Sequence, residues 1–287
     1  MLENSFYESS SPKPVIEGTG VNVIYFTNQC NLACTYCYED LSGRPRQILT
    51  REQIKDSVDI ILDREPEDQQ TLFVLFGGEV TLEWSNAEYM MEYAYSKKKN
   101  VHFNISTNGV MFRKDWFIVQ YTNLKYNKLG LTSLDISFDG VGNQERVTHN
   151  GKQSTPILMD VFRKLHLYSV PFRLRYTIHA ENIGSLREDL KNIIQYISPE
   201  RVITSVAWDT LNDQQLGLLK SEKELLRNDW LSNMINTPVC QMFCDVCNGC
   251  TMQKDIKTYF TDEGNVTTYK NKESTPKFND FKEKEND

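Results

Sequence analysis

Two rhythms of hydrophobic and polar residues alternate along the chain. Short runs rich in β-branched and aromatic residues occur at 21–26 (VNVIYF), 72–76 (LFVLF), 101–106 (VHFNIS), 132–138 (TSLDISF), 172–178 (FRLRYTI) and 202–208 (VITSVAW). They read as six strands. Between them, apolar residues recur at helical spacing: Ile54, Val58, Ile61 and Leu62; Ile157, Val161, Leu165 and Tyr168; Leu186, Leu190, Ile193 and Ile194. Thr50 and Gln53 form a capping-box signature that marks one helix start. Strand–helix alternation at spacings of about 30 to 50 residues predicts an α/β fold built on a parallel sheet with right-handed crossovers. Periodicity alone leaves an open doubly wound sheet and a six-stranded barrel equally admissible.

Beyond Trp208 the rhythm changes. A polar helix is predicted at about 213–235, with Leu216, Leu218, Leu219, Leu225 and Leu226 as its apolar face. The segment TYFTDEGNVTTYK reads as a β-hairpin turning at Asp262 to Asn265. The expected organisation is an N-terminal arm (1–20), an α/β unit (21–212), a helix plus cysteine-rich region (213–270) and a disordered, highly charged tail (271–287).

Unusual polar residues follow nearly every strand. Cys30 to Cys37 come after the first, Gly77-Gly78-Glu79 after the second, Thr107-Asn108-Gly109 after the third and Asp139-Gly140 after the fourth; His179 and Asp209 end the fifth and sixth. Parallel α/β folds carry their chemistry on that rim.

Composition narrows the classes. With 39% hydrophobic and 25% charged residues the chain is globular in type. Its formal net charge of -7, with scattered basic residues, shows no extended nucleic-acid footprint. The one dense basic run, Lys97 to Lys99, closes a predicted helix (Asn86 to Ser96), where cations complement the helix dipole. No basic n-region and apolar h-region open the sequence, and no run approaches the roughly 20 apolar residues that span a bilayer. A cytoplasmic location is therefore expected, and there seven cysteines point to metal or catalysis before disulfides.

Cys30, Cys34 and Cys37 put three thiols into eight positions. Structural zinc takes four ligands, and three thiolates would make a catalytic zinc a poor Lewis acid. An iron–sulfur cubane held by three thiolates keeps one iron open. The pattern Cys30-x3-Cys34-x-Tyr36-Cys37 resembles the signature of the radical S-adenosylmethionine (radical SAM) superfamily. Gly77-Gly78-Glu79 resembles that family's loop for the methionyl amino group, with Val80 where many relatives carry proline. Glycine suits such a loop because backbone reaches a ligand only where no Cβ intervenes. Ile105 to Gly109 and Ile136 to Gly140 look like the third and fourth strand ends of the branch that modifies peptides and proteins.

The resemblance covers about 21 to 209 and implies a partial (β/α)6 TIM-like barrel with a small cysteine-rich extension. It implies a [4Fe-4S] cluster on Cys30, Cys34 and Cys37, with S-adenosylmethionine on its open iron near Tyr36. Ser106, Asn108 and Ser137 would border the methionine and ribose, and Arg146 or Arg175 would meet the carboxylate. Cys240, Cys244, Cys247 and Cys250 supply four thiolates, which suit zinc or a second cluster equally by spacing. Relatives with SPASM or Twitch extensions tip that reading toward one auxiliary [4Fe-4S] cluster, although the cysteine order here departs from their usual pattern.

In the implied scheme flavodoxin or ferredoxin supplies an electron. The cofactor is cleaved to methionine and a 5'-deoxyadenosyl radical, which takes hydrogen from a substrate, foremost a peptide or protein side chain. Asp209 and His179 are candidate proton acceptors, with a hydrogen-bonded structural role as the commoner reading of His179. The residues before Val21 are too few for a leader-peptide-binding domain. A radical enzyme for a nucleotide or amino acid is the alternative, and a zinc-bound interaction protein is the reading from another class.

Overall fold

The computed structural model describes residues 21–37, 47–129, 132–207, 211–232, 239–240, 257–262 and 265–270. The expectations for the N-terminal arm, the tail, Asp209, Cys244, Cys247 and Cys250 lie outside them, as does the side chain of Cys240.

Six strands appear where the sequence places them: β1 (Val21–Tyr25), β2 (Thr71–Phe76), β3 (Val101–Thr107), β4 (Thr132–Ser137), β5 (Arg173–Ile178) and β6 (Val202–Val206). All pair in parallel, each with its sequence neighbour, in the order β1 to β6. A doubly wound sheet reverses its strand order at a switch point, whereas an order that always advances the same way is that of a barrel. The chain therefore forms a half-barrel, and the choice that periodicity left open is made by topology. A two-residue strand, β7 (Val239–Cys240), adds in parallel to β6 through the Val202 to Val239 and Ile203 to Cys240 registers. The antiparallel hairpin β8 (Lys257–Asp262) and β9 (Asn265–Lys270) turns where expected.

The crossovers are α1 (Arg51–Arg64), α2 (Trp84–Lys97), α3 (Asp115–Asn123), α4 (Thr155–Leu167) and α5 (Leu186–Asn192), followed by α6 (Asp213–Leu231). The Thr50–Gln53 capping box at α1 is reciprocal, with hydrogen bonds of 3.2 and 2.9 Å. Both α3 and α5 run on into π-helical turns, Leu124–Leu129 and Ile193–Ile197, which the 3.6-residue pattern does not announce. The three lysines after α2 have separate tasks. Lys97 pairs with Asp59, Lys98 is buried with its ammonium on the Pro66 carbonyl, and Lys99 lies over the Tyr95 ring.

Strand residues divide by period two. Phe73 and Leu75, Val101, Phe103 and Ile105, Leu134 and Ile136, and Leu174, Tyr176 and Ile178 are buried in one core with Ile54, Val58, Ile61, Met90, Val161 and Phe162 of the helices. The alternate positions form the concave face. On β3, β4 and β5 they are polar: His102, Asn104 and Ser106; Ser133, Asp135 and Ser137; Arg173, Arg175 and Thr177. A closed TIM barrel fills that space with apolar layers; on these three strands polar groups stand there instead, while Val74 of β2 and Ile203 of β6 place apolar residues at the flanks.

Against α5, α6 buries Leu219 and Leu226, seven residues apart, while Leu218 and Leu225 are exposed. The predicted face was thus too wide by one row, because neighbours in sequence lie about 100° apart on a helix. Arg187 grips Asp229 of α6 with two bonds, 2.6 and 2.9 Å, and Lys191 adds a third at 2.8 Å. Among the described residues, no helix is long and apolar enough to cross a membrane. Hydrogen bonding from Arg187, aided by Lys191, holds the Asp229 carboxyl at about 2, below its ordinary 3.8. A lowered carboxyl stabilises the fold fully above its ordinary value and loses that contribution as pH falls through its folded value. The stability difference between the wild type and Asp229→Asn, read by urea denaturation, should therefore be largest near neutrality and shrink as the pH approaches 2.

Candidate active site

The segment leaving β1 is pinned before the first cysteine. Thr27 bridges to Ile48, and its hydroxyl donates to the Gln47 carbonyl at 2.9 Å. On its other side lie Gly77 and Gly78. Gly78 N donates to Thr27 O at 2.6 Å and Glu79 N to Gln29 O at 2.8 Å. A Cβ on Gly77, where φ is +144°, would sit 2.4 Å from Thr27 O, and one on Gly78 would sit 2.5 Å from Gln29 O. The bareness of these glycines is therefore required by the backbone of the cysteine segment itself. That reason differs from the ligand approach expected from the sequence.

Glu79 is fully buried. Its carboxylate accepts from Thr81 N, the Thr81 hydroxyl, the Thr107 hydroxyl and Asn108 N. With its acceptor capacity occupied, it ties the loop after β2 to the loop after β3. Asn108 carries the tie onward: its Nδ2 donates to Asn31 Oδ1 at 2.7 Å and approaches Cys30 Sγ at 3.5 Å, while Leu32 N approaches the same sulfur at 3.4 Å.

The loop after β4 closes the other flank. Ala33 N donates to Val147 O and Thr35 N to Glu145 O, Leu32 bridges to Thr148, and His149 Nε2 lies 2.9 Å from Cys30 O. Tyr36 reaches deepest. Its hydroxyl donates to Asp139 Oδ2 and accepts from Arg146 Nη1, and its ring stacks on His179 with centroids 5.0 Å apart. Asp139 is itself buried and accepts from Thr177 N at 2.8 Å. Arg146 is buried beside it, with its Nε left without a partner among the described residues.

Cys30, Cys34 and Cys37 are in no disulfide among the described residues and are partly accessible. Burial pushes the Cys30 thiol up to about 12, with Glu79 and Cys34 adding to the effect. Among the described residues, no three His, Cys, Asp or Glu side chains converge closely enough to hold a single metal ion. Three soft thiol donors on one partly accessible loop are the donor set that an iron–sulfur cluster takes.

The remaining candidates separate. The hydroxyls of Ser106 and Ser137, near the tops of β3 and β4, have no hydrogen-bond partner among the described residues. Arg175 lies apart from the Tyr36 cluster and pairs instead with Asp135 at 3.0 Å. His179 is buried, and donors face both of its ring nitrogens: Glu181 N at Nδ1 and Asn143 Nδ2 at Nε2. The Asn143 amide cannot turn, because its oxygen accepts from Glu145 N and Arg146 N. Burial holds His179 below the ordinary imidazole value. A neutral imidazole has one N–H and one acceptor nitrogen, so it accepts from only one of these two donors, and with a donor at each nitrogen the surroundings under Tyr36 oppose uptake of a second proton. Asn143 and Asp135 were not read as site residues from the sequence, and Asp139 was read only as a rim residue without a role, although alternating arginines in RLRYTI mark a polar inner face.

The Radical SAM superfamily profile matches residues 24–193. The chain belongs to the radical SAM superfamily. An uncharacterized protein of Methanocaldococcus jannaschii is 24% identical over 205 residues, 70% of this chain and 66% of that protein. A cysteine-type anaerobic sulfatase-maturating enzyme of Clostridium novyi is 29% identical over 161 residues, 52% of this chain and 40% of the enzyme. The sporulation killing factor maturation protein of Bacillus subtilis is 26% identical over 165 residues, 58% of this chain and 37% of that protein. The chain thus spans from under two fifths to about two thirds of the length of these relatives. The solved structure of native anSMEcpe with bound AdoMet shares the fold with a TM-score of 0.62 at 18% identity, covering 77% of this chain and 64% of that one.

Gly78→Ala tests the brace between β1 and β2. A methyl 2.5 Å from a backbone oxygen forces the two segments apart, a change of the overpacking kind that costs about 1–3 kcal/mol. The variant should melt earlier and take up less iron on anaerobic reconstitution than the wild type.

Proposed function

We propose that this chain is a radical SAM enzyme that abstracts hydrogen from a peptide or protein side chain. The observation that carries the reading is the convergence of four strand-end loops on one segment of three thiols, with a buried, incompletely paired arginine beside it. Cys30, Cys34 and Cys37 would hold a [4Fe-4S] cluster, which when bound supplies the electron that cleaves S-adenosylmethionine and so the power to attack unactivated C–H bonds.

The residues of the chain do the rest. Arg146, at the rim beside the cysteine loop and with Nε unpartnered among the described residues, suits the cofactor's carboxylate better than Arg175, which lies apart from that loop on Asp135. Glu79 is committed to internal bonds, so the Gly77–Glu79 loop offers the amino group backbone carbonyls in place of a side chain. The partnerless hydroxyls of Ser106 and Ser137 suit the methionine and ribose. Asn108 orients Cys30 and donates toward its sulfur, a contact of the kind that tunes cluster potential. Tyr36, held by Asp139 and Arg146, fixes the far end of the loop and excludes water there.

Cys240, Cys244, Cys247 and Cys250 are proposed to hold an auxiliary [4Fe-4S] cluster. The strand β7 supports this by joining Cys240 to the barrel edge beside β6, where the half-barrel ends. The peptide reading is supported by the relatives' names: a sulfatase-maturating enzyme, a killing-factor maturation protein and a bacteriocin biosynthesis protein. Flavodoxin or ferredoxin is the proposed reductant, and Asp209 is kept as the proposed proton acceptor.

Anaerobic reconstitution followed by reduction should release 5'-deoxyadenosine from S-adenosylmethionine. Cys34→Ala should abolish that release, and retained turnover would refute the assignment. Arg146→Gln should weaken S-adenosylmethionine binding by about tenfold or more, as expected for loss of a charge-assisted bond to a carboxylate, measured by equilibrium dialysis.

A further inference from the structure

The inner face of the half-barrel holds a charge arrangement that the cofactor site does not use. On β5, Arg173 and Arg175 stand two residues apart and both point to the one carboxylate of Asp135 on β4. Arg173 Nε donates to Oδ1 at 2.6 Å, and Arg175 Nε donates to Oδ2 at 3.0 Å. Asn104 Nδ2 on β3 gives Oδ2 a further bond at 3.0 Å. Asp135 is completely buried and saturated by these three neighbours.

One carboxylate faces two guanidinium groups, so the cluster keeps one positive charge. The remaining donors differ between the two arginines. Arg173 also uses Nη2, on Ser133 Oγ at 3.2 Å. Arg175 has no partner at either Nη among the described residues, and its side chain is about one third exposed (32%). Both terminal nitrogens of its planar fork are therefore available, the geometry that matches a carboxylate bidentately. His102, the next polar group on this face, bonds to Ser133, and burial together with the Arg173 and Lys125 charges pulls it down to about 4. It is neutral near pH 7 and adds no second cation.

Position gives the arginine fork its meaning. Thr177, the next inward residue on β5, donates its amide to Asp139 of the Tyr36 cluster. Arg175 thus sits one inward step below that cluster, about 6–7 Å along the strand. We propose that Arg175, held by Asp135 and backed by Arg173, is the anchor for a carboxylate of the substrate, seated in the barrel below the cofactor. The proposal rests on the radical SAM reading of the barrel and adds the class of substrate: an acidic peptide, or else a small carboxylic acid with the same group. No covalent step is involved, because the carboxylate is a handle that fixes which C–H bond lies nearest the cofactor.

Binding tests this without turnover, so it stands apart from the S-adenosylmethionine cleavage assay. Full-length, anaerobically reconstituted protein would select from a random mRNA-displayed peptide library, and glutarate would be titrated by calorimetry in parallel. Wild type should enrich peptides with Asp or Glu at a fixed position. Arg175→Gln should lose that enrichment by about tenfold or more. Arg175→Lys keeps the charge beside Asp135 and so guards against simple misfolding; it should retain a weaker preference. Arg163→Gln, on the outer surface, should select like wild type. Glutarate binding that vanishes in Arg175→Gln, without an acidic preference among peptides, would support the anchor and assign it to a small acid. If neither probe binds through Arg175, or if Arg175→Gln selects the same acidic peptides as wild type, the proposal is overturned.

Discussion

Backbone lying on backbone at Gly77 and Gly78 is the contact on which the rest of the site depends. The cysteine segment has almost no regular structure of its own, and among the described residues an internal backbone bond joins Cys37 to Cys34. Its shape is therefore imposed from outside. The loop after β2 sets where the segment starts, through two short amide bonds that tolerate no Cβ between the chains. From there Glu79 passes the constraint to the loop after β3, and Asn108 passes it back to Cys30. A parallel barrel makes such a chain of ties possible, because successive strand ends lie side by side on one rim.

The second constraint is electrostatic. Asp139 and Asp135 are both fully buried, and each is offset by cations on the concave side. A buried carboxylate is tolerable only when paired and hydrogen-bonded. The upper one holds Tyr36 and Arg146 against the end of the cysteine loop. The lower one holds two arginines in the barrel interior. The strands β4 and β5 thus contribute two charged tiers, one at the rim and one a step beneath it, while β1 and β2 contribute main-chain support.

Much of this was legible in the sequence. All six main strands were placed within about two residues, because period-two apolar runs bounded by polar loops are a strong signal. The three cysteines and the Gly-Gly-Glu loop were legible as a site for the same reason: spacing is local. The strand β7 was not, since two residues carry no period, and neither were the π-helical turns, where an extra residue slips the helical phase. The partners of Tyr36 were hidden for another reason. Asp139 and Arg146 lie 103 and 110 positions away, and nothing in a single sequence couples residues at that separation. The glycines were found, but their contact with the cysteine segment was not, because a ligand and a neighbouring strand both demand a missing side chain.

The polar lining of the concave face carries a last consequence. The main apolar core lies between sheet and helices, whereas Asn104, Asp135, Arg173 and Arg175 hold one another on the inner side. Replacing one charged member alone leaves a buried charge short of a partner, whereas replacing the set together with neutral groups does not, so the interior of this barrel changes in blocks and not residue by residue.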